Sequence, residues 1–157
     1  MAREDNRPVK VEVKNLTKKF GDLLVLDNLN FNIKKNEFVC VVGPTGCGKT
    51  GLGVALAERL GGEVVSCDSM QLYRGMVIGT AAPTEAERRD VPHHMVGVID
   101  PREDYSVARY AADAAECVDG ILARGKLPIL VGGTGLYLDA LLRGHGYAPG
   151  TTGGETR

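Results

Sequence analysis

The chain has 157 residues, of which 43% are hydrophobic, and its formal net charge is -1. This length suffices for one compact domain with a buried core, and the balanced charge excludes a strongly basic or acidic protein while leaving room for a local basic face. The four cysteines form no CxxC pair, and no early apolar run is long enough for a signal peptide or a membrane span. We therefore expect a cytoplasmic protein with no membrane contact.

The composition changes along the chain. Residues 1–40 contain six Lys, two Arg and six Asn, whereas residues 51–157 contain one Lys, nine Arg and no Asn. Lys and Asn are favoured by AT-rich coding, and Ala, Gly and Arg by GC-rich coding. We interpret the sequence as a hybrid chain, and the alternative is a difference in surface composition between two regions of one natural protein.

Residues 1–40 are predicted to form a β-rich leader. The alternation of VKVEVKNL from Val9 predicts a half-buried strand. The stretch LLVLDNLNFNI from Leu23 predicts two short strands separated by a turn at Asp27–Asn28, and KKNE from Lys34 predicts a polar turn.

Residues 41–144 are predicted to alternate strands with helices. FVCVVG, from Phe38, has the continuous apolar pattern of a strand buried on both faces of a parallel sheet, and TGLGVALAERLGG has helical spacing that ends at Gly61-Gly62. Three further strands are predicted at EVVSCD, HHMVGVID and LPILVGG. Three further helices are predicted at PTEAERRD from Pro83, at SVARYAADAAECVDGILARG between a cap at Ser106 and Gly125, and at TGLYLDALLRG. Residues 145–157, rich in Gly and Thr and without periodicity, are predicted to be a flexible tail.

A phosphate-binding loop follows the first strand of this body. Gly43, Gly48, Lys49 and Thr50 complete the pattern GxxxxGK[ST], with the required strand before it and helix after it. The loop amides and the helix N-terminus attract a phosphate, Lys49 adds a mobile positive charge, and the Thr50 hydroxyl is a ligand for Mg²⁺. The predicted phosphate-binding residues are Gly43, Pro44, Thr45, Gly46, Cys47, Gly48, Lys49 and Thr50.

The loop and the alternation together predict the fold class. Strands that alternate with helices form a parallel sheet between helical layers. We expect an α/β, P-loop NTPase-like three-layer domain with a mostly parallel sheet, preceded by the short β-rich leader. The loop pattern alone does not distinguish hydrolysis, transfer or departure of the phosphate.

Residues 9–50 include the segment VEVKNLTKKFGDLLVLDNLNFNIKKNEFVCVVGPTGCGKT. With this segment they resemble the opening of an ABC-transporter ATPase. The resemblance implies that Phe20 stacks on adenine. After Thr50 the chain has no glutamine loop, no LSGGQ signature, no strand that ends in Asp-Glu and no switch histidine in context, so the resemblance stops there.

Residues 41–144 contain the segments DSMQ, YRGM, IGT, PHHM and VGGTGLYL in this order. With these segments they resemble the N-terminal half of tRNA dimethylallyltransferases, the tRNA isopentenyltransferase family. The resemblance implies transfer of a dimethylallyl group from dimethylallyl diphosphate to the exocyclic amine of the adenosine beside the tRNA anticodon. The loop would then hold the diphosphate with Mg²⁺, although Gly46-Cys47 stands where the family usually has Ala-Ser.

The same resemblance assigns roles to side chains outside the loop. Asp68, at the end of EVVSCD, would be the base that accepts a proton from the amine, with Thr45 and Lys49 as the other catalytic residues. The residues implied to contact the tRNA substrate are Asp68, Ser69, Met70, Gln71 and Thr134. From the residues alone, the alternatives are that Asp68 caps the turn that follows it and that Thr134 caps the helix that follows it. Neighbouring residues of a strand face opposite ways, so the adjacent His93 and His94 cannot easily bind one metal ion together. Both are predicted to be structural.

The resemblance covers only the first half of such enzymes, so we expect a truncated or hybrid form with reduced or no activity. A sheet that lacks strands exposes an unpaired edge, which leaves partial folding, self-association through that edge, or a substitute role for the leader strands as alternatives. Two other functions also stay open: an ABC-type ATP-binding fragment, and a small P-loop kinase that combines the same loop with an Asp after the second strand.

Overall fold

The computed structural model describes residues 6–42, 49–75, 85–133 and 135–144. The chain divides into two compact units that meet in sequence between Glu37 and Phe38. Of the helices within the described ranges, none is long and apolar enough to cross a membrane.

The first unit is a β-hairpin. Strands β1 (Val9–Phe20) and β2 (Leu23–Lys34) pair antiparallel and are joined at Gly21, whose φ of 58° is in the left-handed region that glycine adopts without strain. The predicted polar turn after Lys34 is confirmed, because the Glu37 amide donates to the Lys34 carbonyl over 3.1 Å. The buried apolar side chains of the hairpin are Val13, Leu26 and Ile33.

The predicted break at Asp27–Asn28 is wrong, because β2 runs without interruption through these residues. Asn28 has a φ of 49° and donates its amide to the Thr17 hydroxyl oxygen over 3.1 Å. Asn15, on the facing strand, has a φ of 52° and donates its amide to the Asn30 side-chain oxygen over 2.9 Å. The two strands are irregular in register at this level, so the turn-forming residues produce bulges inside one hairpin and not a turn.

The second unit is built on a parallel sheet of four described strands in the order β3-β6-β4-β5. The strands are β3 (Val39–Val42), β4 (Gly62–Ser66), β5 (His93–His94) and β6 (Leu127–Gly132). The helices are α1 (Lys49–Leu60), α2 (Glu85–Arg88), α3 (Val107–Ala123) and α4 (Gly135–Gly144). The predicted α/β class with a parallel sheet is confirmed.

Helices α1 and α3 cover the sheet. The chain passes from β3 through α1 to β4 in one direction along the sheet, and from β5 through α3 back to β6 in the other. Because parallel crossovers are right-handed, these opposite directions place α1 and α3 on opposite faces. The central strands β4 and β6 are accordingly buried along their whole length. Helix α4 packs against α3.

Strand β3 is not buried on both faces, so that prediction is wrong. Its side chains alternate in exposure: Cys40 is exposed and Val42 is 52% exposed. Within the described ranges β3 pairs only with β6 and forms the edge of the sheet. A continuous apolar run indicates burial on both faces only for an interior strand.

The strand predicted over HHMVGVID is limited to His93–His94. Met95 and Gly97 have φ values of 63° and 62°, and these left-handed residues turn the chain away from the sheet. The chain returns to a strand-like contact only at the single bridge between Ile99 and Tyr73. Met95 and Ile99 are buried, so the apolar residues of this segment serve the core without forming a strand.

Helix α3 has the predicted ends. The Ser106 hydroxyl oxygen accepts the Arg109 amide over 3.1 Å, which confirms Ser106 as the N-cap. The helix ends at Ala123, two residues before Gly125, whose φ is 74°. The buried face of α3 consists of Tyr110, Ala111, Ala114, Ala115, Val118 and Ile121. Short α2 covers part of the predicted charged helix, whose predicted start at Pro83 lies outside the described residues.

Candidate functional site

The carboxyl ends of three strands lie level at one edge of the sheet. Val42 of β3 pairs with Gly132 of β6, and Val131 pairs with Ser66 of β4. The segment 43–48, the segment that contains Thr134 and the turn that begins at Asp68 all leave the sheet from these ends. Open α/β sheets bind ligands outside the carboxyl ends of their strands, so this edge is the candidate site.

Several predicted site residues lie outside the described residues: Gly43, Pro44, Thr45, Gly46, Cys47, Gly48 and Thr134. Lys49 and Thr50 are the first two residues of α1, and their side chains are also outside the described set, as is that of Phe20. The described part of the site is therefore the end of β4, the turn after it, and the elements that support them.

Asp68 begins a tight turn at the end of β4. Its Oδ1 accepts the Met70 amide over 2.9 Å, and its carbonyl accepts the Gln71 amide over 3.2 Å. The carboxylate thus caps the turn, the structural role that the sequence left open. Its Oδ2 makes no hydrogen bond to the described residues, and the residue is partly exposed. The Met70 amide therefore fixes the orientation of the carboxylate through one of its two oxygens.

The turn after Asp68 presents the predicted substrate-contact side chains. Met70 is 47% exposed at this edge of the sheet. Gln71 is anchored, because its Oε1 accepts the buried Ser66 hydroxyl over 2.8 Å and its carbonyl accepts the Gly97 amide over 2.8 Å. An amide oxygen has two acceptor positions, so the bond to Ser66 is compatible with a further contact.

Tyr110, on the buried face of α3, makes a hydrogen bond to the end of β4. This role was not predicted from the sequence. The Tyr110 hydroxyl donates to the Ser66 carbonyl over 2.8 Å and lies 3.1 Å from the Cys67 Sγ, and its ring stacks on Tyr137 with centroids 4.3 Å apart. Burial raises the pKa of the Tyr110 hydroxyl well above its usual range. It also raises the pKa of the Cys67 thiol to about 11, although the Tyr110 bond acts in the opposite direction.

The signal that could have revealed Tyr110 is its place on the apolar face of α3. It shares this face with Ala114, Val118 and Ile121, at helical spacing. A tyrosine on a buried face needs a partner for its hydroxyl. The identity of that partner, on a strand far away in sequence, carries no local signal.

Gly132 allows β6 to approach the end of β4 closely. A Cβ at this position would lie 2.6 Å from the Cys67 carbonyl carbon and 2.7 Å from the Cys67 carbonyl oxygen. The Cys67 amide meanwhile donates to the Val131 carbonyl over 2.8 Å. Only glycine fits where the backbones of the two strands approach this closely just before Asp68.

An ionic cluster lies at the opposite end of β4. Glu63 is 4% exposed, and its carboxylate accepts from Arg124 over 2.5 Å and lies 3.5 Å from the Nε2 of His94. Burial acts to raise the pKa of the Glu63 carboxyl, but Arg124 and His94 outweigh it and hold the pKa below its usual value. His93 Nδ1 lies 2.8 Å from the Val91 carbonyl. Within the described ranges no group of three or more His, Cys, Asp or Glu side chains is placed to hold a metal ion.

Two family models match the chain. The model described as IPP transferase matches residues 71–156, and the model described as isopentenyl transferase matches residues 36–94. The two matches together include the phosphate loop, the Asp68 turn and the start of α4.

The chain is similar to curated proteins named tRNA dimethylallyltransferase. It is 52% identical over 114 residues to the protein from Pelotomaculum thermopropionicum, covering 73% of this chain and 36% of that protein. It is 58% identical over 104 residues to the protein from Koribacter versatilis, covering 66% of this chain and 34% of that protein. The chain thus spans little more than a third of the length of these relatives.

Solved structures show the same similarity. The full-length tRNA isopentenylpyrophosphate transferase from Bacillus halodurans superposes with a TM-score of 0.68 at 50% identity, covering 73% of this chain and 38% of that one. A eukaryotic dimethylallyltransferase, whose structures are described as snapshots of its action on tRNA, superposes with a TM-score of 0.65 at 38% identity, covering 66% and 26% of the two chains. Because the IPP transferase model matches more than half of the residues, the chain belongs to the IPP transferase family.

Proposed function

We propose that this chain carries the donor-binding loop and the acceptor base of a tRNA dimethylallyltransferase. The reaction is transfer of a dimethylallyl group from dimethylallyl diphosphate to the exocyclic amine of the adenosine beside the tRNA anticodon. The observation that carries the proposal is the strand register: Val42 and Gly132 end level and Ser66 ends one residue before them, so the loop, Asp68 and Thr134 belong to segments that leave one edge. The names of the relatives support the choice of reaction.

On the donor side, the loop from Gly43 to Thr50 binds the diphosphate. Its amides and the N-terminus of α1 attract the anion, and Lys49 stabilises the negative charge that develops on the departing pyrophosphate. Magnesium ions in proteins keep several waters and take one or two protein ligands beside the substrate phosphates. A site made of the Thr50 hydroxyl and the diphosphate oxygens matches this coordination preference, and Mg²⁺ there would further stabilise the leaving group.

On the acceptor side, Asp68 accepts the proton. The exocyclic nitrogen of adenine forms a bond to the allylic carbon, the carbon–oxygen bond to the diphosphate breaks, and its electron pair leaves with pyrophosphate. The proton released by the nitrogen passes to the Asp68 carboxylate, whose Oδ1 is already fixed by the Met70 amide. Thr45, Ser69, Met70, Gln71 and Thr134 contact the tRNA around this point.

We also propose that residues 1–40, residues 41–144 and residues 145–157 have separate roles, with the first as an ABC-ATPase-like leader. The hairpin pairs only within itself among the described strands, and the isopentenyl transferase match begins at residue 36, next to the end of the first unit. If the leader does not govern ligand choice, Phe20→Ala leaves the affinities for dimethylallyl diphosphate and ATP within about twofold of those of the unchanged chain. Equilibrium binding measures this, and loss of ATP affinity in Phe20→Ala would instead support an ABC-type nucleotide site.

The transfer reaction is tested with the chain in excess over an unmodified anticodon stem-loop, with radiolabelled dimethylallyl diphosphate and Mg²⁺. We expect slow label transfer to the adenosine, reduced about 100-fold or more in Asp68→Asn because the base is lost. The matched control is Asp139→Asn, which removes an exposed carboxylate that pairs with Arg143 over 2.8 Å, and which leaves the rate unchanged. Equal rates in Asp68→Asn and the unchanged chain would refute the role of Asp68, and label that appears only from γ-labelled ATP would indicate a kinase.

A further inference from the structure

We propose that Tyr110 is a positioning residue for the acceptor side of the site: its hydroxyl fixes the end of β4 and thereby the carboxylate of Asp68. The inference rests on the proposed function for the importance of Asp68. The hydrogen bond from the Tyr110 hydroxyl to the Ser66 carbonyl, on which the inference depends, belongs to the fold and does not depend on the proposed function. Tyr110 is completely buried, at 0% exposure, and lies on the face of α3 that packs on the sheet.

The hydroxyl holds the two residues that precede Asp68. It donates to the Ser66 carbonyl over 2.8 Å and lies 3.1 Å from the Cys67 Sγ. Both residues are buried, at 2% exposure each. A buried carbonyl that loses its donor has no water to replace it, so loss of the hydroxyl leaves this point of β4 less firmly held.

A short chain of hydrogen bonds leads from Ser66 to the Asp68 carboxylate. The Ser66 hydroxyl oxygen accepts the Asp68 amide over 3.3 Å and donates to the Gln71 side chain over 2.8 Å. The Met70 amide donates to Asp68 Oδ1 over 2.9 Å and closes the turn. A displacement of Ser66 therefore moves the whole turn, and the carboxylate moves with it.

The ring of Tyr110 links the same point to α4. It stacks on Tyr137, with an interplanar angle of 16° and centroids 4.3 Å apart. Tyr137 lies in the first turn of α4, which begins at Gly135 directly after Thr134. Tyr110 thus contacts both β4, which leads to Asp68, and α4, which directly follows Thr134. Its side chain can therefore fix the position of these two elements relative to each other.

The hydroxyl can be tested apart from the ring. Tyr110→Phe keeps the stack and nearly all the volume and removes only the donor. Tyr105→Phe is the matched control, because the Tyr105 hydroxyl donates over 2.6 Å to Asp113 of α3 and makes no hydrogen bond to β4 within the described part of the chain. Tyr137→Phe is a second control that keeps the stacked ring.

The readout is the NMR signal of the Met70 amide. This amide donates to the Asp68 carboxylate, so its chemical shift follows the position and the ionisation of that group. In Tyr110→Phe we expect the signal to move, and the exchange of the Met70 amide hydrogen to become about tenfold faster, while exchange at Leu130 in β6 stays the same. In Tyr105→Phe and Tyr137→Phe the Met70 signal stays in place, whatever their effect on overall stability.

In the transfer assay, misplacement of the base predicts a rate at saturating donor that is about tenfold lower in Tyr110→Phe, with the KM for dimethylallyl diphosphate within about twofold. A Met70 amide in Tyr110→Phe that coincides with that of the unchanged protein would overturn the inference and leave Tyr110 as a packing residue. Calorimetry with pyrophosphate and Mg²⁺ on the same samples tests the proposed function separately. If the unchanged protein does not bind pyrophosphate, the proposed function fails, while the Met70 signal still decides the role of Tyr110.

Should Tyr110→Phe not fold, the unchanged protein gives the answer. A fully buried, hydrogen-bonded hydroxyl proton exchanges slowly enough to be observed, and that of Tyr110 should show a nuclear Overhauser contact with the backbone of Cys67. Its absence under conditions where buried amide protons are protected would contradict the contact on which the inference depends.

Discussion

Gly132 lies so close to Cys67 that a methyl group on it would come within 2.6 Å of the Cys67 carbonyl carbon. The Gly132→Ala substitution forces the ends of β6 and β4 apart, so we expect it to lower the free energy of unfolding by about 2–3 kcal/mol. Denaturant unfolding measures this change.

The control for Gly132→Ala is Gly120→Ala. Gly120 lies within α3, and its added Cβ would meet only the Arg124 Nη1, at an ordinary contact distance of 3.5 Å. Because alanine favours helix, this substitution should raise the free energy of unfolding by about 0.5–1 kcal/mol. A Gly132→Ala protein as stable as the unchanged chain would show that the two strand ends are less tightly joined than the structure indicates.

The Glu63 carboxylate should make stability depend on pH in the acid range. Its pKa in the folded state is held below the ordinary value of 4.5, with burial opposed by the larger combined effect of Arg124 and His94. A group with a lowered folded pKa contributes stability that is present above its unfolded pKa and is lost as the pH falls through the folded value. Glu63→Gln should therefore cost about 2 kcal/mol at pH 7, and the cost should shrink below pH 4.5.

The comparison for Glu63→Gln is Glu103→Gln. Glu103 is half-exposed and pairs with Arg109 over 3.4 Å, so its loss should change the free energy of unfolding by less than about 0.5 kcal/mol at either pH. Unfolding curves at pH 7 and pH 3.5 for both variants test this. A pH-independent cost of Glu63→Gln would mean that the carboxylate charge does not stabilise the fold.

The Cys67 thiol should be nearly inert in the folded protein. Burial raises its pKa to about 11, so at pH 8 only about one molecule in a thousand carries the reactive thiolate. Iodoacetamide labelling followed by peptide mass spectrometry should show Cys67 unmodified in buffer and modified in guanidinium chloride. Rapid labelling of Cys67 in the native protein would contradict its burial beside Tyr110.

Local patterns predicted much of the fold. Ser106 and Gly125 mark the ends of α3 because capping chemistry is local, and the apolar runs at β4 and β6 correspond to interior strands. Errors arose where the outcome depends on distant residues. Asn28 looks like a turn residue, but its facing partner Thr17 converts it into a bulge, and the run from Phe38 looks like an interior strand but is at the edge.

The same distinction between local patterns and distant contacts applies to the candidate site. The sequence motifs locate the loop and Asp68, because these residues are contiguous with recognisable strands and helices. The support of Asp68 by Tyr110 and the close approach of Gly132 depend on contacts between segments far apart in sequence. Such contacts leave no periodic signal in the sequence.

The most direct test of the central claim is calorimetric titration of the chain with dimethylallyl diphosphate and with ATP, each with and without Mg²⁺. If the loop from Gly43 to Thr50 serves a departing diphosphate, dimethylallyl diphosphate binds in a Mg²⁺-dependent way and at least as tightly as ATP. Lys49→Ala should then weaken its binding about 30-fold, the loss expected for one charge-assisted hydrogen bond of about 2 kcal/mol. ATP that binds far more tightly than dimethylallyl diphosphate would contradict the account.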